Sequence, residues 1–356
     1  MRMNVKKFHA VAAAALLGLV FSPSYAGEVA DIGPLPPVPV NPDNTPTAAR
    51  MALGQALFFD NRISGNGNLN CASCHLPNTG WTVPLPFSIA NEGFVERRNS
   101  PTLINVGYNK ALIWDGRAPS LEKQALGSTT NPLHMGQTLE KLMPVLNADS
   151  KIVSMFQSAY GSKPNADDFG RAIAVWERHF LVTGESDFDR YMNGNKLALS
   201  ESAVRGLQIF KGKGACVACH SGPNFTDSDF HNLGLKTNAE FDKSEYRKIL
   251  AFDAKRMKLE NPEQVVDDAG RYLVTKDKAD WKKFKTPTLR NLADTAPYMH
   301  DGRYASLDDV IEHYNRGGDG TENQDPRVQA LGLNATEKSD LKAFLQSLWG
   351  PLPKLM

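Results

Sequence analysis

Two pentapeptides in this chain have the residue types and spacing to bind haem covalently. One is Cys71-Ala72-Ser73-Cys74-His75, the other Cys216-Val217-Ala218-Cys219-His220. In a Cys-x-x-Cys-His segment the two thiols add to the vinyl groups of one haem, and the adjacent histidine becomes the proximal iron ligand. The chain has 4 cysteines. The two motifs use all of them, leaving none for a disulfide or a zinc site. Two covalent haem c groups are therefore expected, one on Cys71, Cys74 and His75, the other on Cys216, Cys219 and His220. A haem with two strong protein ligands shuttles electrons, whereas one with an open position binds peroxide or another small molecule. The sixth ligand of each iron decides between these. Downstream of the first motif the candidates are His134 and Met135. Downstream of the second they are His231, Met257, Met299, His300, His313 and Tyr314. Spacing alone does not choose among them.

Helices must carry these motifs. A helical pattern over Thr47 to Phe58 leads into a Gly/Asn-rich loop, Ser64 to Asn70, just before the first motif. After Pro164, the residues Phe169, Ile173, Trp176 and Phe180 recur at helical spacing and form one apolar stripe. Ser200 reads as the N-cap of a helix over Ala203 to Phe210 that delivers the chain to the second motif. A last helix starts at Thr336, carries Leu341, Phe344, Leu345 and Leu348, and is ended by Gly350-Pro351. Strand signals are sparse. Each motif follows a helix ending in phenylalanine (Phe58, Phe210), a faint internal repeat. The pattern predicts an all-α fold: two cytochrome c-like helical domains, each binding one covalent haem, with long loops. The expected divisions are a peroxidatic haem domain over 47–185, a second, electron-transfer haem domain over 186–320, and a C-terminal helical segment, 321–356, packing back on the first domain.

The N-terminus reads as an export signal. Arg2, Lys6 and Lys7 form a positive region, Val11 to Phe21 is apolar, and Ser24-Tyr25-Ala26 offers a cleavage site. Residues 1–26 are thus a signal peptide and 27–46 a proline-rich arm, with a periplasmic location and no membrane span after signal removal. The charge balance, 40 Lys and Arg against 39 Asp and Glu, gives no basic surface for nucleic acid.

Further segments resemble the bacterial di-haem cytochrome c peroxidases. They are Arg98-Asn99-Ser100-Pro101-Thr102, Ile113-Trp114-Asp115-Gly116-Arg117, Leu121-Glu122 with Gln124, and Asp268 with Gly270-Arg271. Phe284-Lys285-Thr286-Pro287-Thr288-Leu289-Arg290-Asn291 and Ala296-Pro297-Tyr298-Met299-His300-Asp301-Gly302 complete the set, in the family's order. The resemblance implies that Trp114 lies between the two haems as an electron relay. It implies that Gln124 belongs to the peroxide pocket. It also implies a Ca²⁺ ion held by the Asn99 side chain and the Thr295 and Pro297 carbonyls, hard oxygen ligands that suit this ion.

Three departures from the family's pattern carry more information. Where ordinary members place a loop histidine that closes the resting peroxidatic haem, this chain has Asn91, so the first haem is expected to be open at rest. Where they ligate the electron-transfer haem with methionine, this chain has Tyr314, which resembles MauG and its relatives; phenolate stabilises ferric and higher iron and lowers the potential. In place of a catalytic glutamate it has His134, within Asn131-Pro132-Leu133-His134-Met135. His134 is read as the acid-base group for peroxide cleavage; ligation of iron, or packing alone, are its other readings.

Together these imply a MauG-like enzyme, similar to the methanobactin-associated MbnH type. It would use hydrogen peroxide to form a high-valent di-haem state that oxidises a periplasmic partner protein at tryptophan. The exit route must differ from MauG's, because Gly214 stands where that protein has a surface tryptophan near its second haem motif. The alternatives are a peroxide-detoxifying cytochrome c peroxidase, with a small cytochrome or cupredoxin as electron donor, and a plain di-haem electron carrier.

Overall fold

A computed structural model describes residues 31–355. The expected signal peptide lies outside the described residues, and among them no helix is long and apolar enough to cross a membrane. Helices dominate. The first half carries α1 (Ala48–Phe58), α2 (Leu121–Thr130), α3 (Leu139–Ala148), α4 (Ser150–Tyr160) and α5 (Ala166–Phe180). The second carries α6 (Asp187–Met192), α7 (Glu201–Lys211), α8 (Ser244–Arg256), α9 (Tyr272–Thr275), α10 (Leu307–Asn315) and α11 (Ala335–Gln346). Two short strands, β1 (Phe230–His231) and β2 (Phe284–Lys285), pair antiparallel.

Helix boundaries follow side-chain capping. Thr47 lies just outside α1, where its hydroxyl accepts from the Arg50 N–H; Ser200 does the same for Ala203 at the start of α7. The last helix begins one residue earlier than expected, because Asn334 forms a capping box with Glu337. The apolar stripe of α5 is buried as expected at Phe169, Ile173 and Trp176, which face Leu53, Leu57 and Phe58 of α1.

The second core joins Phe188, Leu207, Phe210, Phe225, Ile311, Leu341, Phe344 and Leu348. The C-terminal segment thus corrects the expectation that it packs back on the first domain. Its helix α11 lies along α7, and only the tail returns, with Leu352 against the first core and the Gly184 N–H on the Pro351 carbonyl. The reason is steric. Gly206 of α7 touches the Asp340 carbonyl and Phe344 of α11, where a methyl group would overlap both. Gly54 of α1 is in the same relation to Ala172 and Trp176 of α5. Each glycine stands four residues before its phenylalanine, Phe58 or Phe210. The faint repeat is therefore a repeated close helix crossing, and α11 is to the second half what α5 is to the first. A third apolar cluster, unforeseen in the sequence, gathers Phe241, Tyr246, Leu250 and Leu273 around α8 and takes in Phe87 from the first half.

Candidate active site

Each Cys-x-x-Cys-His motif folds as a single 3₁₀ turn, Cys71–Ser73 or Cys216–Ala218. The turn lets the histidine N–H reach back to the first cysteine's carbonyl, at 3.0 Å for His75 and 2.9 Å for His220. In both, the ring is fixed through Nδ1, which donates to a backbone carbonyl: Trp81 at 3.0 Å, Phe225 at 3.1 Å. That leaves Nε2 for iron, the tautomer a haem ligand needs. Burial pushes both imidazoles down to about 4, so they are neutral at pH 7.

Beside the first motif lies a cavity of about 610 Å³, lined by Cys71, Cys74 and His75 and by residues from both halves of the chain. Its size and largely apolar wall suit a planar organic cofactor. Among the ionisable residues that line it without a role in the sequence reading, three stand out. Glu177 is buried with Oε2 unpartnered and is pushed up to about 8, chiefly by burial. Lys285 is buried, pushed down to about 8 by burial, and donates to the Thr286 carbonyl at 3.1 Å. Glu96 has Oε1 buried without a conventional hydrogen bond. Of these, the Lys285 ammonium suits a bound partner with its own carboxylates, as haem has.

His134 and Gln124 line the same cavity, as do Met135 and Trp114. His134 is held by its loop: its N–H donates to the Asn131 carbonyl, and its own carbonyl accepts from Asn91. Its Nε2 lies 3.3 Å from Glu96 Oε1. Gln124, on α2, donates through Nε2 to Ser128 Oγ at 2.9 Å. Asn91 is not among the lining residues. It is buried, with its carboxamide against Gly136, whose backbone adopts φ +62°. Asn91, expected where a closing histidine would stand, therefore packs against Gly136 and takes no part in the cavity wall.

Trp114 donates from Nε1 to the Asn99 carbonyl at 2.8 Å, and its ring centroid is 6.5 Å from that of His300. Nearby, five buried charges and the half-buried Arg117 form one cluster. Arg98 bonds Asp268 at 2.5 and 2.7 Å and Asp115 at 2.7 Å, Arg117 bonds Asp115 and Asp253, and Arg97 bonds Asp253. Three positive and three negative charges balance. Burial alone would raise the carboxyl pKa values of Asp115, Asp253 and Asp268; the arginines outweigh it and hold all three well below the usual range. Removing one partner from such a cluster costs roughly 3–5 kcal/mol. The cluster thereby ties segments far apart in the chain to one rigid seat for Trp114.

Asn99, Thr295 and Pro297, the three expected calcium positions, all line this cavity. Asn99 spends its Nδ2 on the Leu85 carbonyl at 2.9 Å, which turns Oδ1 free for a cation.

The six candidates for the second iron separate cleanly. Met257 and Met299 line the first cavity. His313 is fully buried, with Nδ1 against Tyr304 Oη at 3.1 Å and Nε2 against the Leu233 carbonyl at 2.9 Å. His231 places both nitrogens 2.9 Å from carboxylates, Asp325 and Asp227. Burial opposes its charge, but the two carboxylates prevail and push it up to about 11. Cys219, Asp227 and His231 lie close together, and the clamp engages both ring nitrogens of His231. His300 is buried and stacked on Phe284, centroids 3.6 Å apart. Tyr314 remains: burial raises its phenol above the ordinary value, and Cys219 and Cys216 act on it in the same direction; His231 also lies near Cys219, but both its nitrogens are engaged.

A mostly helical chain with two such motifs, sharing one buried cavity between its halves, is a di-haem cytochrome. The chain belongs to the di-haem cytochrome c peroxidase and MauG family, which carries two haem c groups and acts as haem-dependent oxidoreductases. The family described as "Di-haem cytochrome c peroxidase" matches residues 48–197. Cytochrome-c peroxidase IdrP1 of Pseudomonas sp. (strain SCT) is 38% identical over 322 residues, 89% of this chain and 85% of that protein. Methylamine utilization protein MauG of Methylorubrum extorquens is 35% identical over 313 residues, 87% and 81% of the two chains. The crystal structure of a MauG-like protein associated with microbial copper homeostasis superimposes with a TM-score of 0.75 at 29% identity, covering 89% of this chain and 93% of that one.

Proposed function

We propose that this protein is an exported, periplasmic di-haem enzyme that uses hydrogen peroxide to oxidise a partner protein at tryptophan. The observation that carries the reading is that, of the candidate ligands, the buried phenol of Tyr314 feels Cys216 and Cys219 of the second motif, while Met257 and Met299 line the cavity beside the first. Bound through Cys71, Cys74 and His75 and through Cys216, Cys219 and His220, the haems supply the two-electron reduction of peroxide and storage of its oxidising power. His134 takes the proton of the oxygen that binds and returns it to the oxygen that leaves. Glu96, at 3.3 Å, orients the imidazole. Gln124 borders the peroxide, and Trp114 relays electrons between the halves. Asn99, Thr295 and Pro297 would hold a Ca²⁺ ion through oxygen ligands, which would tie their two segments together. Tyr314 would hold the second haem's iron through its phenolate, which would give that haem too low a potential to draw electrons readily from a small cytochrome and so disfavours detoxification. The likeness to a MauG-like protein associated with copper homeostasis favours a copper-handling protein as partner.

The likeness to cytochrome-c peroxidase IdrP1 supports a second reading, peroxide removal fed by a small cytochrome or cupredoxin. Donor kinetics separate the two. With peroxide and a reduced small cytochrome c, turnover is expected below about 1 s⁻¹, under the usual enzyme range of roughly 1–1,000 s⁻¹. With the partner present, mass spectrometry is expected to find oxidised tryptophan in it. Turnover well inside that range, with no modified partner, would establish the peroxidase instead.

A further inference from the structure

Trp349 is 45% exposed, the one tryptophan among the exposed large apolar side chains of the described residues. Exposed aromatic rings are usually left loose, but this one is fixed on both sides. The buried Asn291, at φ +58°, donates from its N–H to the Leu348 carbonyl at 3.3 Å and from Nδ2 to the Gly350 carbonyl at 2.8 Å. Its Oδ1 accepts from the Gly350 N–H at 3.2 Å. The indole Nε1 in turn donates to Asp294 Oδ2 at 2.7 Å. Asp294 belongs to the short turn Leu292–Asp294, and both Leu292 and the next residue, Thr295, line the large cavity. The exposed indole is therefore one hydrogen bond and one residue away from the cavity wall. The other tryptophans offer no such route: Trp81, Trp114 and Trp176 are buried, and Trp281 lies against Tyr272 beside the third cluster.

We propose that Trp349 is the surface relay through which oxidising equivalents pass to a partner protein, with Asp294 as its proton acceptor. The inference rests on the peroxide-dependent reading above. One electron leaves the indole for the haem-held oxidising equivalent derived from hydrogen peroxide, while the Nε1 proton moves to Asp294 Oδ2. The oxidised ring then takes one electron from an aromatic side chain of the partner and recovers its proton from Asp294. Two passages deliver the two electrons that, with two protons, reduce one hydrogen peroxide to two waters. A carboxylate at 2.7 Å is suited to this coupling, because the oxidised indole is a far stronger acid than the neutral one.

The test uses the di-haem protein and its Trp349→Phe and Asp294→Asn variants, with peroxide and two donors. A reduced small cytochrome c must deliver its electrons at the protein surface, whereas ascorbate is small enough to approach the haem edge directly. Trp349→Phe is expected to lower the ratio of cytochrome to ascorbate oxidation at least about tenfold. Asp294→Asn, which keeps the acceptor geometry without the base, is expected to lower it and to alter its pH profile. With peroxide alone, oxygen addition at Trp349 is expected in the parent and less of it in Asp294→Asn, although the ring stays equally exposed. An unchanged donor ratio in both variants, with modification at Trp349 equal in the parent and in Asp294→Asn, would overturn the relay while leaving the proposed function standing. A parent protein whose haem spectrum does not respond to peroxide would overturn both.

Discussion

His134→Ala is expected to slow the reaction of the ferric protein with hydrogen peroxide by about two to four orders of magnitude, the range for a positioned acid-base group. Stopped-flow absorption at the haem bands measures it. Peroxide must lose a proton from the oxygen that binds and gain one on the oxygen that leaves. Of the cavity-lining groups, His134 stands on a loop pinned at Asn131 and Asn91, with Nε2 beside Glu96. The ring is partly exposed, so it exchanges protons with water after each cycle. Haem content and the second haem's spectrum are expected to stay intact. A rate equal to the parent's would exclude the role, and a changed resting spectrum of the first haem would indicate that His134 ligates iron instead. Glu96→Gln is expected to give a smaller loss, because it removes the partner that orients the ring and leaves the ring itself.

Tyr314→Met is expected to raise the potential of the second haem by on the order of 0.1 V or more, within the roughly 0.8 V that axial ligands command. An anionic oxygen donor stabilises ferric iron; a thioether favours ferrous iron. The same change is expected to speed electron uptake from a small cytochrome and to shorten the lifetime of the peroxide-oxidised protein. Spectroelectrochemical titration gives the first quantity and stopped-flow decay the second. Tyr314→Phe separates ligation from packing. It keeps the ring, removes the oxygen, and is expected to abolish the low-spin signal of that haem. A low-spin signal unchanged in Tyr314→Phe would contradict ligation by this residue. No replacement is in reach nearby: His313 and His231 have both nitrogens engaged, and Met299 lines the other cavity.

What could be read from the sequence was what is local. Cys-x-x-Cys-His places its chemistry in five adjacent residues, so the attachment points needed no fold. Helix α5 announced itself through one apolar stripe, and α7 through Ser200. The family's pattern then marked Trp114, Gln124, Asn99, Thr295 and Pro297, and all of these line one cavity. The illegible part depends on partners distant in the chain. Arg98 and Asp268 are 170 residues apart, and nothing in either segment shows that they pair. Glu96 and Glu177 look like ordinary surface acids until burial around the cavity is known. The C-terminal helix was assigned to the wrong half because its apolar face fits either core by composition. The small residue Gly206, opposite Asp340 and Phe344, decides the matter, and a lone glycine inside a helix gives little warning of that role.

The account stands on one iron being open and the other closed by Tyr314. Electron paramagnetic resonance of the protein as isolated, in the ferric state and without prior reduction, tests this most directly. One high-spin and one low-spin haem in equal amounts are expected, because Asn91 offers no histidine to the first iron and packs against Gly136, while the buried Tyr314 phenol feels the cysteines of the second motif. Two low-spin haems at neutral pH would contradict the account.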